Sequence, residues 1–266
     1  EILFTCRDKE FEIYLLKESG FQFKSFGKKH NSTIGKLLGM FKFDLKEFIT
    51  ALKFKPDIFI SHGSIYAAHA AFFYRKPHIS LEDTFNMEQI RFYALFTNVI
   101  LTADYNHPLK TKKVIKYAGY HELAYLHPKR FFPDRTVLSQ LGIAENEKYV
   151  IMRFVSWNAS HDVGHNGISP ENKIKAIREF SKYAKVLITS ESELPEELLP
   201  YKMNIQAHKM HDALAFASLV WGESSTMSEE AAILGVPSVY LFNNSTYYTT
   251  HLEQDYRLLY NYSESG

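Results

Sequence analysis

The chain has 266 residues, 45% hydrophobic and 23% charged, enough for one large or two modest α/β cores of ordinary globular composition. Thirty-one lysines and arginines against thirty aspartates and glutamates leave a net charge of +1, which excludes a global field that would recruit nucleic acid or anionic lipid. The single cysteine, Cys6, excludes an internal disulfide and fits a reducing compartment. With no apolar run of membrane-spanning length and no signal-peptide pattern, the expected location is cytoplasmic, although 21 phenylalanines and 17 tyrosines leave room for a peripheral membrane contact.

Strand-like runs alternate with helical patterns from one end to the other, as in βα units stacked into parallel sheets. Ile2–Cys6 predicts a strand, Lys9–Glu18 a helix stopped at Gly20, and Phe21–Phe26 a second strand. Because the chain enters directly on a strand, the first α/β unit is expected to lack its opening strand and helix. The basic stretch Gly27–Thr33 lacks the glycine spacing of a phosphate-binding loop and is expected to be a solvated turn before a helix over Ile34–Phe54. Lys55–Ser61 then forms a stop and a buried strand running into His62-Gly63-Ser64, where the junction is either a ligand-binding strand end or a tight turn capped by Ser64. After a small-residue helix over Ala67–Phe73, the strand Lys76–Leu81 delivers Glu82 and Asp83 to the same edge, for acid/base work or for capping the helix over Asn86–Phe96. Asn98–Thr102 and Lys113–Tyr117 complete this sheet. The aromatic and proline-rich segment from Ala118 to Asp134 breaks the alternation, so the boundary is expected near Pro128, dividing the chain into residues 1–128 and 129–266. Its two histidines, His121 and His127, are expected to pack at the domain junction rather than bind metal.

The second half restarts with a helix over Pro133–Leu141 and a strand over Lys148–Val155. The polar loop that follows contains Ser156, His161, Asp162 and His165; Gly164 breaks the helical face that a metal motif would need, so a polar ligand is the expected occupant. A helix over Pro170–Tyr183 and a strand over Lys185–Ser190 follow, then His208-Lys209-Met210-His211-Asp212 opens a helix. That helix leads into Leu219–Pro237, the stretch around which the second half is organised. Here a strand ends in Glu223-Ser224-Ser225-Thr226, and the following helix would turn its free amides, its positive dipole end and three hydroxyls toward an anion. An ordinary capped helix start accounts for the same residues. A final helix is expected over Tyr247–Tyr262.

Glu223–Pro237, with His62–His69, Glu122–Leu126, Arg153–Asp162 and His208–Asp212, resembles the GT-B glycosyltransferase architecture. More narrowly, it resembles a prokaryotic glycosyltransferase-like family of unknown function related to the non-hydrolysing UDP-N-acetylglucosamine 2-epimerases. The resemblance implies two doubly wound Rossmann-like domains facing across a cleft. By analogy with the epimerase segment, Ser224, Ser225 and Thr226 would contact the diphosphate and Glu230 the ribose. Glu82 falls where those enzymes keep a catalytic glutamate, while Ser64 replaces their aspartate and Arg153–His165 does not reproduce their basic loop. The expectation is a metal-independent glycosyltransferase that needs no cofactor beyond its UDP-sugar-like donor and acts on a saccharide or lipid-linked acceptor. Glu82 and His62 would be the catalytic residues; Ser224, Ser225, Thr226, Glu230, Arg153, Ser156, His161, Asp162, His208 and Ser64 would bind substrate. Epimerisation and non-catalytic nucleotide-sugar binding are the alternatives.

Overall fold

Two units, Glu1–His121 and Glu122–Gly266, make up the computed structural model, which describes residues 1–8, 11–28, 33–105, 109–155, 167–241 and 246–262. The short helix that opens the second unit packs on the helix starting at Ser225, which places the division a few residues before Pro128.

In the first unit, β1 (Phe4–Cys6), α1 (Glu12–Glu18) and β2 (Phe23–Ser25) form a two-stranded parallel sheet with Phe4 opposite Phe23. The helix α2 (Thr33–Phe54) leads into β3 (Phe59–His62), α3 (Ile65–Phe73), β4 (His78–Leu81), α4 (Met87–Tyr93), β5 (Val99–Ala103) and β6 (Val114–Tyr117). Strands β3 to β6 pair in chain order and all run parallel, so their C-terminal ends share one edge. α3 buries Ala67, Ala68, Ala70 and Ala71, small side chains that let the helix lie close over the sheet.

One buried carboxylate on α2 provides a handle on the first unit. Burial pushes the Glu47 carboxyl up to about 6; the hydrogen bond with Thr5 opposes this, nearby Asp44 adds to it, and Lys24 opposes it. Because the folded value exceeds the ordinary one, the native state holds the proton more tightly, and stability falls as pH rises from the mid-4s through 6. Glu47→Gln is expected to raise stability by about 1–2 kcal/mol at pH 7.5 and by close to nothing at pH 4.5, as read by urea unfolding at the two pH values.

The second unit contains α5 (Leu123–Leu126), α6 (Thr136–Gln140), β7 (Tyr149–Phe154), α7 (Pro170–Phe180), β8 (Lys185–Ser190), α8 (Met210–Ala215), β9 (Leu219–Gly222), α9 (Ser225–Ile233), β10 (Ser238–Leu241), α10 (Tyr247–His251) and β11 (Leu259–Tyr262). All five strands are parallel, in the order β11-β10-β9-β7-β8. The interior strand β7 shows why. Tyr149 and Ile151 enter one apolar core, Val150, Met152 and Phe154 the other, so both faces are covered and the strand is a continuous apolar run. Chain order reverses between β7 and β9, and in such sheets ligands bind at that switch point, outside the C-terminal strand ends.

The last element differs from the expected helix over Tyr247–Tyr262. α10 ends after five residues, a π-helical turn spans Leu252–Tyr256, and Arg257 takes a left-handed conformation that closes the turn. Leu259–Tyr262 then pairs with β10 as a parallel edge strand, with Leu259 fully buried. The aromatic spacing of this segment is compatible with helix and strand alike, and the open edge of β10 decides. Among the described residues no helix is long and apolar enough to cross a membrane.

Candidate functional site

The switch point of the second unit brings together the ends of β7 and β9. Arg153 lies opposite Gly222, and the Glu223 amide donates to the Arg153 carbonyl at 3.0 Å. The Glu223 side chain is buried, and its carboxylate accepts from the Val155 amide at 3.0 Å and the Ile168 amide at 2.5 Å, with Lys173 Nζ 3.8 Å away. This carboxylate therefore fastens the strand ends next to the helix start. Ser224 is the N-cap of the nine-residue α9: its hydroxyl accepts from the Met227 amide at 3.3 Å. Helix geometry leaves the Ser225 and Thr226 amides without intrahelical acceptors, at the positive end of the dipole. Ser225 Oγ accepts from the Tyr248 hydroxyl at 2.9 Å, and Thr226 is exposed.

One turn into α9, buried Glu230 is held on two sides. Its Oε1 accepts from the Tyr125 hydroxyl at 3.0 Å and lies 3.0 Å from His211 Nε2. Burial, then the Glu230 and Glu122 charges, push the Tyr125 hydroxyl far above its ordinary value, so it stays a hydrogen-bond donor. The Tyr125 and His211 rings lie 5.3 Å apart, and Phe131 meets His211 edge-on at 6.2 Å. A carboxylate between an aromatic shelf and a helix start can accept from paired hydroxyls while the helix end receives a phosphate.

In the first unit the strand edge holds a second cluster. Ser64 caps α3 by accepting from the Ala67 amide at 3.2 Å, and its own amide donates to Ser61 Oγ at 3.1 Å. Glu82 is buried: Oε1 accepts from Thr84 Oγ1 at 3.2 Å and the Phe85 amide at 2.9 Å, and Oε2 accepts from the Tyr93 hydroxyl. Burial, reinforced by that hydrogen bond, raises the Tyr93 hydroxyl well above its usual range. Three donors thus commit both oxygens of Glu82. Beside it, Asp83 Oδ1 stands 3.2 Å from Nε2 of His62, whose side chain is about half exposed. Burial opposes ionisation of Asp83, yet the His62 hydrogen bond and the nearby His62 and His121 rings hold its carboxyl below the usual range. His121 meets His62 edge-on at 5.5 Å and stacks on Tyr117, whose hydroxyl touches Nδ1.

Residues 1–261 match the family described as Protein of unknown function (DUF354). The chain belongs to this family. An uncharacterized protein of Methanocaldococcus jannaschii is 27% identical over 255 residues, covering 90% of this chain and 73% of the relative. Among solved structures, the UDP-GlcNAc 2-epimerase of the same organism superposes with a TM-score of 0.64 at 13% identity, over 99% of this chain and 89% of the other. The Neisseria meningitidis UDP-GlcNAc 2-epimerase bound to UDP-GlcNAc gives a TM-score of 0.59 at 14% identity, over 94% and 84%. At these identities the likeness is one of fold: parallel, Rossmann-like α/β sheets of the GT-B kind.

Against this fold, the residues picked out from the DUF354 sequence separate into groups. Ser224, Ser225, Thr226 and Glu230 share one helix start and its first turn. Arg153 reaches the same strand ends but is engaged with β8, Nη1 donating to Thr189 Oγ1 at 3.0 Å and Nη2 to Glu191 at 2.8 Å. His208 is exposed on the 3-10 turn Ala207–Lys209, whereas its neighbour His211 meets Glu230. Ser156, His161 and Asp162 lie outside the described residues. His62, Ser64 and Glu82 share one strand edge in the first unit. Tyr125, His211, Glu223, Tyr93 and the joining of Asp83 with His121 escaped the sequence reading as site features. The spacing of His211 and Glu230 on two consecutive helices flanking one strand was the available signal.

Proposed function

We propose that the protein is a nucleotide-sugar-dependent glycosyltransferase with a UDP-sugar-like donor. The observation that carries this reading is the switch-point set of the second unit, an anion-ready helix start at Ser224–Thr226 with Glu230 one turn in. The donor diphosphate is assigned to the Ser225 and Thr226 amides and the neighbouring hydroxyls, and the ribose hydroxyls to Glu230, oriented by Tyr125 and His211. Arg153 and His208, with Ser156, His161 and Asp162, are assigned to the donor side, where cationic and polar groups offset charge developing on the leaving diphosphate. The acceptor, a saccharide or lipid-linked saccharide, is assigned to the first unit against His62, Ser64 and Glu82. Of these, half-exposed His62, backed by Asp83, suits deprotonation of an acceptor hydroxyl, while Glu82 holds the turn. The fold shared with epimerases solved with UDP-GlcNAc supports a nucleotide-sugar ligand.

Titration calorimetry with UDP and UDP-GlcNAc tests the donor site. Glu230→Ala is expected to weaken binding about 10- to 100-fold, the worth of hydrogen bonds to a charged acceptor. No binding by the wild-type chain, or unchanged affinity in the variant, overturns the assignment. The epimerase fold favours one second reading, sugar epimerisation, which predicts deuterium uptake into a UDP-sugar from heavy water without acceptor. The three hydrogen bonds committed to Glu82 weigh against that glutamate serving as the free base such chemistry needs. Binding with neither transfer nor exchange would leave a non-catalytic nucleotide-sugar binder.

A further inference from the structure

We propose that His62, Asp83 and His121 form a binding site for a divalent first-row transition metal of the zinc class. Their ligand-capable atoms, one from each residue, all lie within 4.8 Å of one another. They come from the ends of three strands of one sheet: His62 closes β3, Asp83 follows β4 and His121 follows β6. Ligands around a zinc-sized ion at about 2.0–2.2 Å stand roughly 3.3–3.6 Å apart, so the His62–Asp83 pair at 3.2 Å is already at that spacing. Closing His121 onto it takes an adjustment on the order of 1 Å, within the reach of a side-chain rotation.

Two further observations point to a ligand. His121 Nε2 is buried and makes no hydrogen bond among the described residues, although it sits where a polar atom needs a partner. Tyr117 engages His121 at Nδ1, the arrangement in which an oxygen on one ring nitrogen fixes the tautomer and turns the other toward a metal. Two imidazoles and one carboxylate suit zinc, cobalt or iron and disfavour magnesium and calcium, which take oxygen ligands. Three protein ligands leave a position open, and the half-exposed His62 ring puts that position on the solvent side. The site stands without the transferase reading; only its role rests on that reading. There, an acceptor hydroxyl bound at the open position would be acidified by the metal, with His62 serving as ligand in place of base.

This departs from the metal-independent chemistry expected of the sequence, and metal binding tests it directly. Chelator-stripped protein is titrated with Zn²⁺ and with Co²⁺, with bound metal measured by equilibrium dialysis and the cobalt complex by its visible absorption. The expected result is one ion per chain with a dissociation constant of about 1 μM or tighter, and a Zn²⁺-induced rise in unfolding temperature. His121→Ala and the shape-preserving Asp83→Asn are each expected to weaken binding at least about 10-fold and to abolish the thermal shift. His251→Ala, which removes an unrelated histidine–aspartate pair in the second unit, is expected to leave binding unchanged. Absence of stoichiometric metal, equal affinity in His121→Ala and Asp83→Asn, or loss of the ion only on His165→Ala would overturn the proposal. UDP affinity measured on the same metal-free protein reports on the donor site separately, so either assignment can fail alone.

Discussion

Gly222→Ala is expected to cost about 3–5 kcal/mol and to remove donor binding with it. Gly222 ends β9 at φ +150°, and a methyl group built there would lie 2.1 Å from the Arg153 carbonyl oxygen and 2.8 Å from the Arg153 nitrogen. Both are backbone atoms of the interior strand β7 and cannot rotate away. Relief requires β9 to move off β7, which breaks the Glu223-to-Arg153 backbone bond and withdraws the Glu223 carboxylate from the Val155 and Ile168 amides. Uncovering those buried groups adds to the steric cost. Gly235→Ala provides the comparison. It too sits at positive φ, +82°, but a methyl group there meets nothing within 4 Å, so the cost is the conformational one alone, about 1 kcal/mol. Urea unfolding of the two variants should differ by at least about 2 kcal/mol; near-equal midpoints would show that β7 and β9 tolerate separation.

Periodicity and turn residues foretell the strand Lys185–Ser190, the helix starting at Pro170 and the Ser224-capped helix, because those features are local: apolar alternation, a proline at the first turn and a hydroxyl at the cap. The terminal strand Leu259–Tyr262 was not legible, since its conformation is imposed by the vacant edge of β10. Site residues divide along the same line. Ser224, Ser225 and Glu230 lie within seven positions at one helix start, where the turn residues mark the serines and the resemblance to the epimerase segment points to Glu230. His62, Asp83 and His121 stand far apart in the chain and meet only because β3, β4 and β6 end on one edge. Tyr125 and His211 converge on Glu230 through packing of α5 and α8 against α9, and no local pattern marks Glu223 as the acceptor of the Val155 and Ile168 amides.

Acidification is expected to unfold the first unit through His78 before most carboxylates titrate. His78 is fully buried on β4, with Nδ1 2.8 Å from Thr97 Oγ1 and Nε2 3.0 Å from Ser61 Oγ. Thr97 spends its one proton on the carbonyl of His78 or Val99, so it can only accept from Nδ1–H, leaving Nε2 to accept from Ser61. Both nitrogens are satisfied in the neutral ring, and a second proton would have to displace the Ser61 hydroxyl proton in a buried setting. Burial accordingly lowers the His78 pKa to about 4. The sign follows: with the folded value below the ordinary 6.5, the unfolded chain takes the proton first, so stability is full above pH 6.5 and declines as pH falls toward 4. The loss amounts to about 3 kcal/mol, and it falls on the Ser61 hydroxyl that accepts the Ser64 amide at the proposed acceptor edge. Glu47 works in the opposite direction between the mid-4s and 6, so the slope is cleanest in a Glu47→Gln background. There, His78→Gln is expected to be less stable at pH 7.5 by about 1–2 kcal/mol yet nearly flat between pH 7 and 5, as read by urea unfolding at half-unit steps. A slope that survives the substitution would move the acid sensitivity to another group.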